Sequence, residues 1–121
     1  MKHPFLAAFE RCEAMLKPAV DRFGQVTMAD VANAVLEGRA QIWPAPDAAI
    51  ITQLVKTEGG GVIHIWLGCG DLPTLLTMLP GVEAYGRAWG CIAITTKGRK
   101  GWKRVLAPHG YSGDDMLRKA L

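Results

Sequence analysis

Phe5, Phe9, Cys12 and Leu16 recur at steps of four, three and four, the spacing that aligns one stripe of a helix. Pro18 is expected to end that helix, because proline lacks a backbone N–H and its ring crowds the preceding turn. A second helix is expected from Thr27, where Thr27 and Asp30 form a capping-box pattern, to Gly38, a suitable residue just past a helix end. Its inward side would carry Met28, Val31 and Val35.

From Arg39 the rhythm changes. Gln41–Trp43 and Ile50–Val55 flank the turn-forming Pro44-Ala45-Pro46-Asp47, and Glu58–Gly61 makes a second turn before the apolar run Val62–Leu67. Three strands in an antiparallel meander are expected. Gly68-Cys69-Gly70 reads as a loop, and Asp71 as the N-cap of a helix with Pro73 in its first turn and Leu72, Leu75, Leu76 and Leu79 at helical spacing. Pro80-Gly81 predicts a kink or break before helix resumes over Val82–Trp89. Cys91–Thr95 reads as a strand parallel to Val62–Leu67, because a strand–helix–strand connection crosses over right-handed. Gly101–Leu106 reads as a short helix stopped by Pro108, and Tyr111–Leu121 fits no single element.

Composition narrows the picture. Half of the 121 residues are hydrophobic, enough for the core of one α+β domain spanning residues 1–121. No run approaches the ~20 apolar residues of a membrane-spanning helix, and the polar N-terminal segment has no signal-peptide pattern. A cytoplasmic protein is expected. Cys12, Cys69 and Cys91 are widely spaced, and His3, His64 and His109 have no ligand spacing, so neither a disulfide framework nor a metal site is expected. Net charge is +3, with five basic residues between Lys97 and Arg104, a cluster able to meet an anion.

This order of elements resembles the GNAT acetyltransferase superfamily over nearly the whole chain. Glu83-Ala84-Tyr85-Gly86-Arg87-Ala88-Trp89-Gly90-Cys91 is similar to the end of that family's central helix entering its next strand, and His109-Gly110-Tyr111 to the Gly-Phe after its last helix. Gly38–Trp43, Gly98–Trp102 and Gly110-Tyr111 also resemble small GNAT-like proteins encoded by tailed phages. The resemblance implies a GNAT-like fold and acetyl-CoA as cofactor. The cofactor would meet backbone groups of Leu67, Gly68, Cys69, Gly70, Asp71 and Leu72, with charge from Lys100 and Lys103. The chain departs from the family at this loop, which has no basic residue before Gly68-Cys69-Gly70 and places the Asp71 carboxylate at the helix start. Leu106 and Arg99 stand where the family's usual tyrosine and asparagine would.

His64 and Glu58 are the candidate general bases beside the expected meander. Cys69 in the glycine segment could act as a thiol nucleophile. Trp102, interleaved with Lys100, Lys103 and Arg104, could stack on a base or an adenine ring. Three functions are therefore carried forward. The first is an acetyl-CoA-dependent N-acetyltransferase with a divergent cofactor loop. The second is a non-catalytic structural or virion protein, reusing the fold with a homo-oligomeric or virion partner. The third, less favoured, is a nucleic-acid-binding module using Lys97–Arg104.

Overall fold

The structure is a computed structural model describing residues 4–98 and 101–121, with side chains from residue 7 onward in the first segment. Phe5 of the expected stripe, and Arg99 and Lys100 of the basic cluster, lie outside the described side chains. Helix α1 spans Pro4–Phe23 and α2 Met28–Leu36. Strands β1 (Gln41–Pro44), β2 (Ala48–Thr57) and β3 (Gly60–Gly70) form the antiparallel meander. Helix α3 (Leu72–Ala88), strand β4 (Ala93–Lys97) and helix α4 (Trp102–Leu106) follow. Strands β5 (Ser112–Gly113) and β6 (Met116–Ala120) complete a six-stranded sheet of order β1-β2-β3-β4-β6-β5.

The sheet separates two cores. Phe9, Cys12 and Leu16 of α1 and Val31, Ala34 and Val35 of α2 pack on Ala49 and Ile51 of β2, with Met28 partly buried beside them. On the other face Leu75, Leu79 and Val82 of α3 pack with Ile50, Ile63, Ile94 and Leu117. The α2 cap forms as expected: Asp30 N–H donates to Thr27 Oγ1 at 3.1 Å, and Thr27 N–H to Asp30 Oδ2 at 2.8 Å.

Neither internal proline ends its helix. Pro18 and Pro80 both face solvent, where water can take the carbonyl each leaves unpartnered. Leu16, Ala19 and Val20 anchor α1 on both sides of Pro18, and Leu79 and Val82 flank the Pro80-Gly81 step. Tertiary burial outweighs the local penalty in both helices.

Strand β4 starts two residues later than expected. Cys91 N–H still donates to Gly86 O at 2.9 Å, closing the end of α3, and Ile92 N–H donates to Gly61 O at 2.8 Å. The unassigned tail becomes β6, antiparallel to β4 with Ile94 opposite Lys119.

Candidate functional site: the cleft between β3 and β4

Strands β3 and β4 are parallel neighbours at the sheet centre, in register from Val62 opposite Ala93 to Ile65 opposite Thr96. There the ladder stops, and the Thr96 hydroxyl donates to Ile65 O at 3.5 Å. Strand β3 runs on to Gly70 paired with β2 alone. The two central strands thus part, leaving one edge of β3 facing a cleft.

A bulge sits at the parting point. Thr52 of β2 lies opposite Ile65 while Ile51 lies opposite Leu67, so Trp66 is an extra residue on β3. Side chains alternate along a strand, so odd-numbered residues would otherwise share one face. Instead Ile63 and Ile65 join the α3 core whereas Leu67 and Cys69 join the α1–α2 core. Beyond the bulge, Gly68 faces the cleft; a Cβ there would approach only Trp102, at 4.0 Å.

The cleft has two connected compartments sharing Arg22, Gly68 and Trp102. The larger, about 600 Å³, is bounded by Met15, Pro18, Gly70, Leu72, Leu75 and Val105. The smaller, about 240 Å³, is bounded by Phe23, His64, Trp66, Thr96, Lys97 and Met116. Neither wall includes an Asp or Glu, while Arg22 and Lys97 form no ion pair among the described residues. His64 Nδ1 lies 2.9 Å from Thr95 Oγ1. Burial lowers the His64 pKa from its ordinary value, which keeps the ring neutral near pH 7.

The sequence-derived residues divide. Leu67, Gly68, Cys69, Gly70 and Leu72 do line the cleft, but Gly68-Cys69-Gly70 is strand rather than loop, opposite Ile50, Ala49 and Ala48. Pairing with β2 holds this segment extended, so it does not curl around an anion as a phosphate loop would. Cys69 is buried, with its thiol 3.7 Å from Ala49 O, in the manner of a packed structural cysteine. Gly70 has φ +99°, and a Cβ there would overlap the Asp47 carbonyl and lie 2.5 Å from Ala48 Cα. Its role is close approach of β2. Asp71 caps α3 through Oδ2, accepting from Thr74 N–H at 3.1 Å and the Thr74 hydroxyl at 2.9 Å.

Lys103 lies outside the cleft walls and pairs with Asp114 at 2.7 Å, lowering the pKa of that exposed carboxyl. Lys100 lies outside the described residues. Arg22 has no distinguishing sequence signal; it enters the site only because α1 continues past Pro18. Glu58 is exposed in the β2–β3 turn and borders neither compartment.

An acetyl-CoA fits this site only in part. The open edge of β3 beyond Ile65, the vacant side of Gly68 and the apolar walls suit a pantetheine arm, which combines amide groups with an aliphatic backbone. The start of α3 does not suit a diphosphate. Of the four N–H groups a helix start normally leaves free, Asp71 donates to Asp47 O at 2.8 Å, Pro73 has none, and Thr74 is held by Asp71. Only Leu72 N–H remains. Among the described residues no cluster could hold a metal ion, and no helix is long and apolar enough to cross a membrane.

A scan against protein-family models finds no match, and neither does a search of curated proteins. A search of solved structures finds similarity to an acetyltransferase of the GNAT family from Listeria monocytogenes 4b F2365. The TM-score is 0.63 at 10% sequence identity, over 95% of this chain and 90% of that one. The fold of this chain is therefore GNAT-like.

Proposed function

We propose that the protein is an N-acyltransferase that takes a pantetheine-borne acyl thioester, of which acetyl-CoA is the simplest, in the cleft between β3 and β4. The observation that supports this reading is the end of the parallel ladder at Ile65 and Thr96 while β3 continues to Gly70. That parting creates a bare strand edge beside a cavity of small-molecule size, typically ~300–1,000 Å³. His64 lies in the adjoining compartment, where an amine acceptor would be received. In the tautomer whose Nδ1–H donates to the Thr95 hydroxyl oxygen, Nε2 keeps its lone pair and can accept the acceptor's proton. Phe23, Trp66 and Met116 restrict water on that side, while Arg22 and Lys97 favour an anionic group at the rim.

The test is isothermal titration with acetyl-CoA, followed by transfer assays with a panel of primary amines. Donor binding should be unchanged in His64→Gln, with transfer slowed about 10²–10⁴-fold. No binding at millimolar donor would overturn the reading.

The occupied donors at the start of α3 favour a second reading, a non-catalytic protein that reuses the fold through a homo-oligomeric or virion contact. Co-sedimentation with virion particles, or a stable oligomer with no thioester binding, would establish it. The Lys103–Asp114 pair interrupts the basic segment, so a nucleic-acid module has the least support.

A further inference from the structure

We infer that the acceptor for this cleft is a primary amine bearing a carboxylate or phosphate, received over the open face of β4 and β6 with its amine at His64 and its anion at Lys97 and Arg118. The inference rests on the acyltransfer reading above and specifies its acceptor class. Residues directly opposite one another across a sheet share a face. Gln53, His64, Thr95, Arg118 and Ser112 form one such row across β2, β3, β4, β6 and β5. The approach of His64 Nδ1 to Thr95 Oγ1, at 2.9 Å, confirms the shared face. Leu117 and Lys119, the neighbours of Arg118 along β6, take the opposite face, where Leu117 joins the α3 core and Lys119 reaches Glu83.

Lys97 and Met116, a second opposed pair, stand next along the same face and border the His64 compartment. Arg118 lies two strands from His64, roughly 10 Å at ordinary strand spacing, with Thr95 between them. Helix α1 packs over β1, β2 and β3, and beyond it Lys97, Met116 and Arg118 are exposed. An acceptor can thus reach His64 over β4 and β6, apart from the compartment beside α3.

Lys97 and Arg118 pair with no carboxylate among the described residues. In the turn before β6, Asp114 is held by Lys103, and Asp115 pairs with neither cation. Two uncompensated cations beside the proton acceptor attract an anionic amine and repel a polyamine.

The experiment measures acetyl transfer from acetyl-CoA by the full chain to β-alanine, γ-aminobutyrate and O-phosphoethanolamine, to alkylamines of matched length, and to spermidine. The anionic amines should be preferred by about fivefold or more, as two partly exposed charge pairs would give, through KM rather than kcat. High salt should shrink that preference. Lys97→Gln combined with Arg118→Gln, both at exposed positions, should remove it while circular dichroism shows the fold retained. Better use of an acidic peptide with a free N-terminus than of γ-aminobutyrate would assign the anion to a protein source, and the reverse to a small molecule.

Equal use of anionic and neutral amines, a preference for spermidine, or a preference that survives the double variant would overturn this inference and leave the acyltransfer reading standing. Acetyl-CoA binding without transfer to any amine of the panel would overturn it as well. Failure of acetyl-CoA to bind would overturn it together with the proposed function.

Discussion

The Tyr111 hydroxyl donates to Glu83 Oε2 at 2.7 Å, tying the segment after α4 to the buried side of α3. Glu83 is only 5% exposed, and Lys119 of β6 donates to its other oxygen at 3.0 Å. The resulting network holds α3, the C-terminal strand and the Gly110-Tyr111 turn in one arrangement, with both Glu83 oxygens partnered. Tyr111→Phe should destabilise the domain by about 1–3 kcal/mol, because it removes a charge-assisted bond inside the core. Burial and Glu83 raise the Tyr111 pKa far above its usual value of about 10. Its contribution is therefore complete below that pH and declines above it, as the unfolded chain alone loses the proton. Denaturation midpoints of wild type and Tyr111→Phe should converge as pH rises past about 10.

Helix α3 lies close against β3 at Gly86, where a Cβ would lie 2.7 Å from Ile63 Cγ2 and 3.0 Å from Leu121 Cδ1. Ile63 is fully buried and its branch methyl has no free direction to turn. Gly86→Ala should cost about 1–3 kcal/mol by overpacking. Adding Ile63→Leu to that variant, which takes the branch off Cβ and so removes Cγ2, should recover part of the loss, although Ile63→Leu alone costs about 1 kcal/mol. Midpoints of the four proteins in urea would display this non-additivity.

Gly68 and Gly70, only two positions apart, should respond in opposite ways. Gly70→Val places a branched side chain against the backbone of Asp47 and Ala48 in a positive-φ conformation, and soluble folded protein should be lost. Gly68→Ala should retain the wild-type melting temperature, since its Cβ falls in ordinary contact with Trp102. Circular dichroism melts of both variants decide the matter before any ligand is added.

Burial lowers the His64 pKa, so the neutral ring is the form the fold favours. Stability from this source is present above the unfolded value of about 6.5 and is lost as pH falls through the folded value. Wild type should therefore lose stability as pH falls below about 6.5. His64→Gln, which can still bond Thr95, should show a shallower decline. An NMR titration of the His64 ring should place its midpoint below the ordinary histidine value.

Much of this architecture is visible in the residue pattern because local chemistry and tertiary packing agree there. The Thr27–Asp30 box, the β2–β3 hairpin and the parallel crossover into β4 are examples. Pro18 and Pro80 misdirect a local reading because their cost is local while the burial that offsets it comes from other segments. Gly68-Cys69-Gly70 looks like a loop from its glycines, yet Ala48–Ile50 supplies partners that no short-range rule anticipates. The C-terminal strand is obscure for the same reason: Leu117 is its only fully buried residue, and pairing with β4 places it in the sheet. At the site, the glycine segment and His64 are legible as chemistry. Lys97 is legible only as one member of the basic run and Arg22 not at all, because what places them at the site is position beside a cleft formed by remote strands.

The extra residue at Trp66 makes the strand bilingual: its first half addresses one hydrophobic layer and its second half the other. Substitutions and deletions should therefore leave different scars in a systematic mutational scan. Replacing Trp66 with another large apolar residue preserves the count and with it every downstream assignment. Removing Trp66 regularises the ladder instead: Ile65 and Leu67 become successive residues opposite Thr52 and Ile51, so each keeps its own layer and Gly68 its place opposite Ile50. A missing codon at that point straightens the strand without reassigning either half.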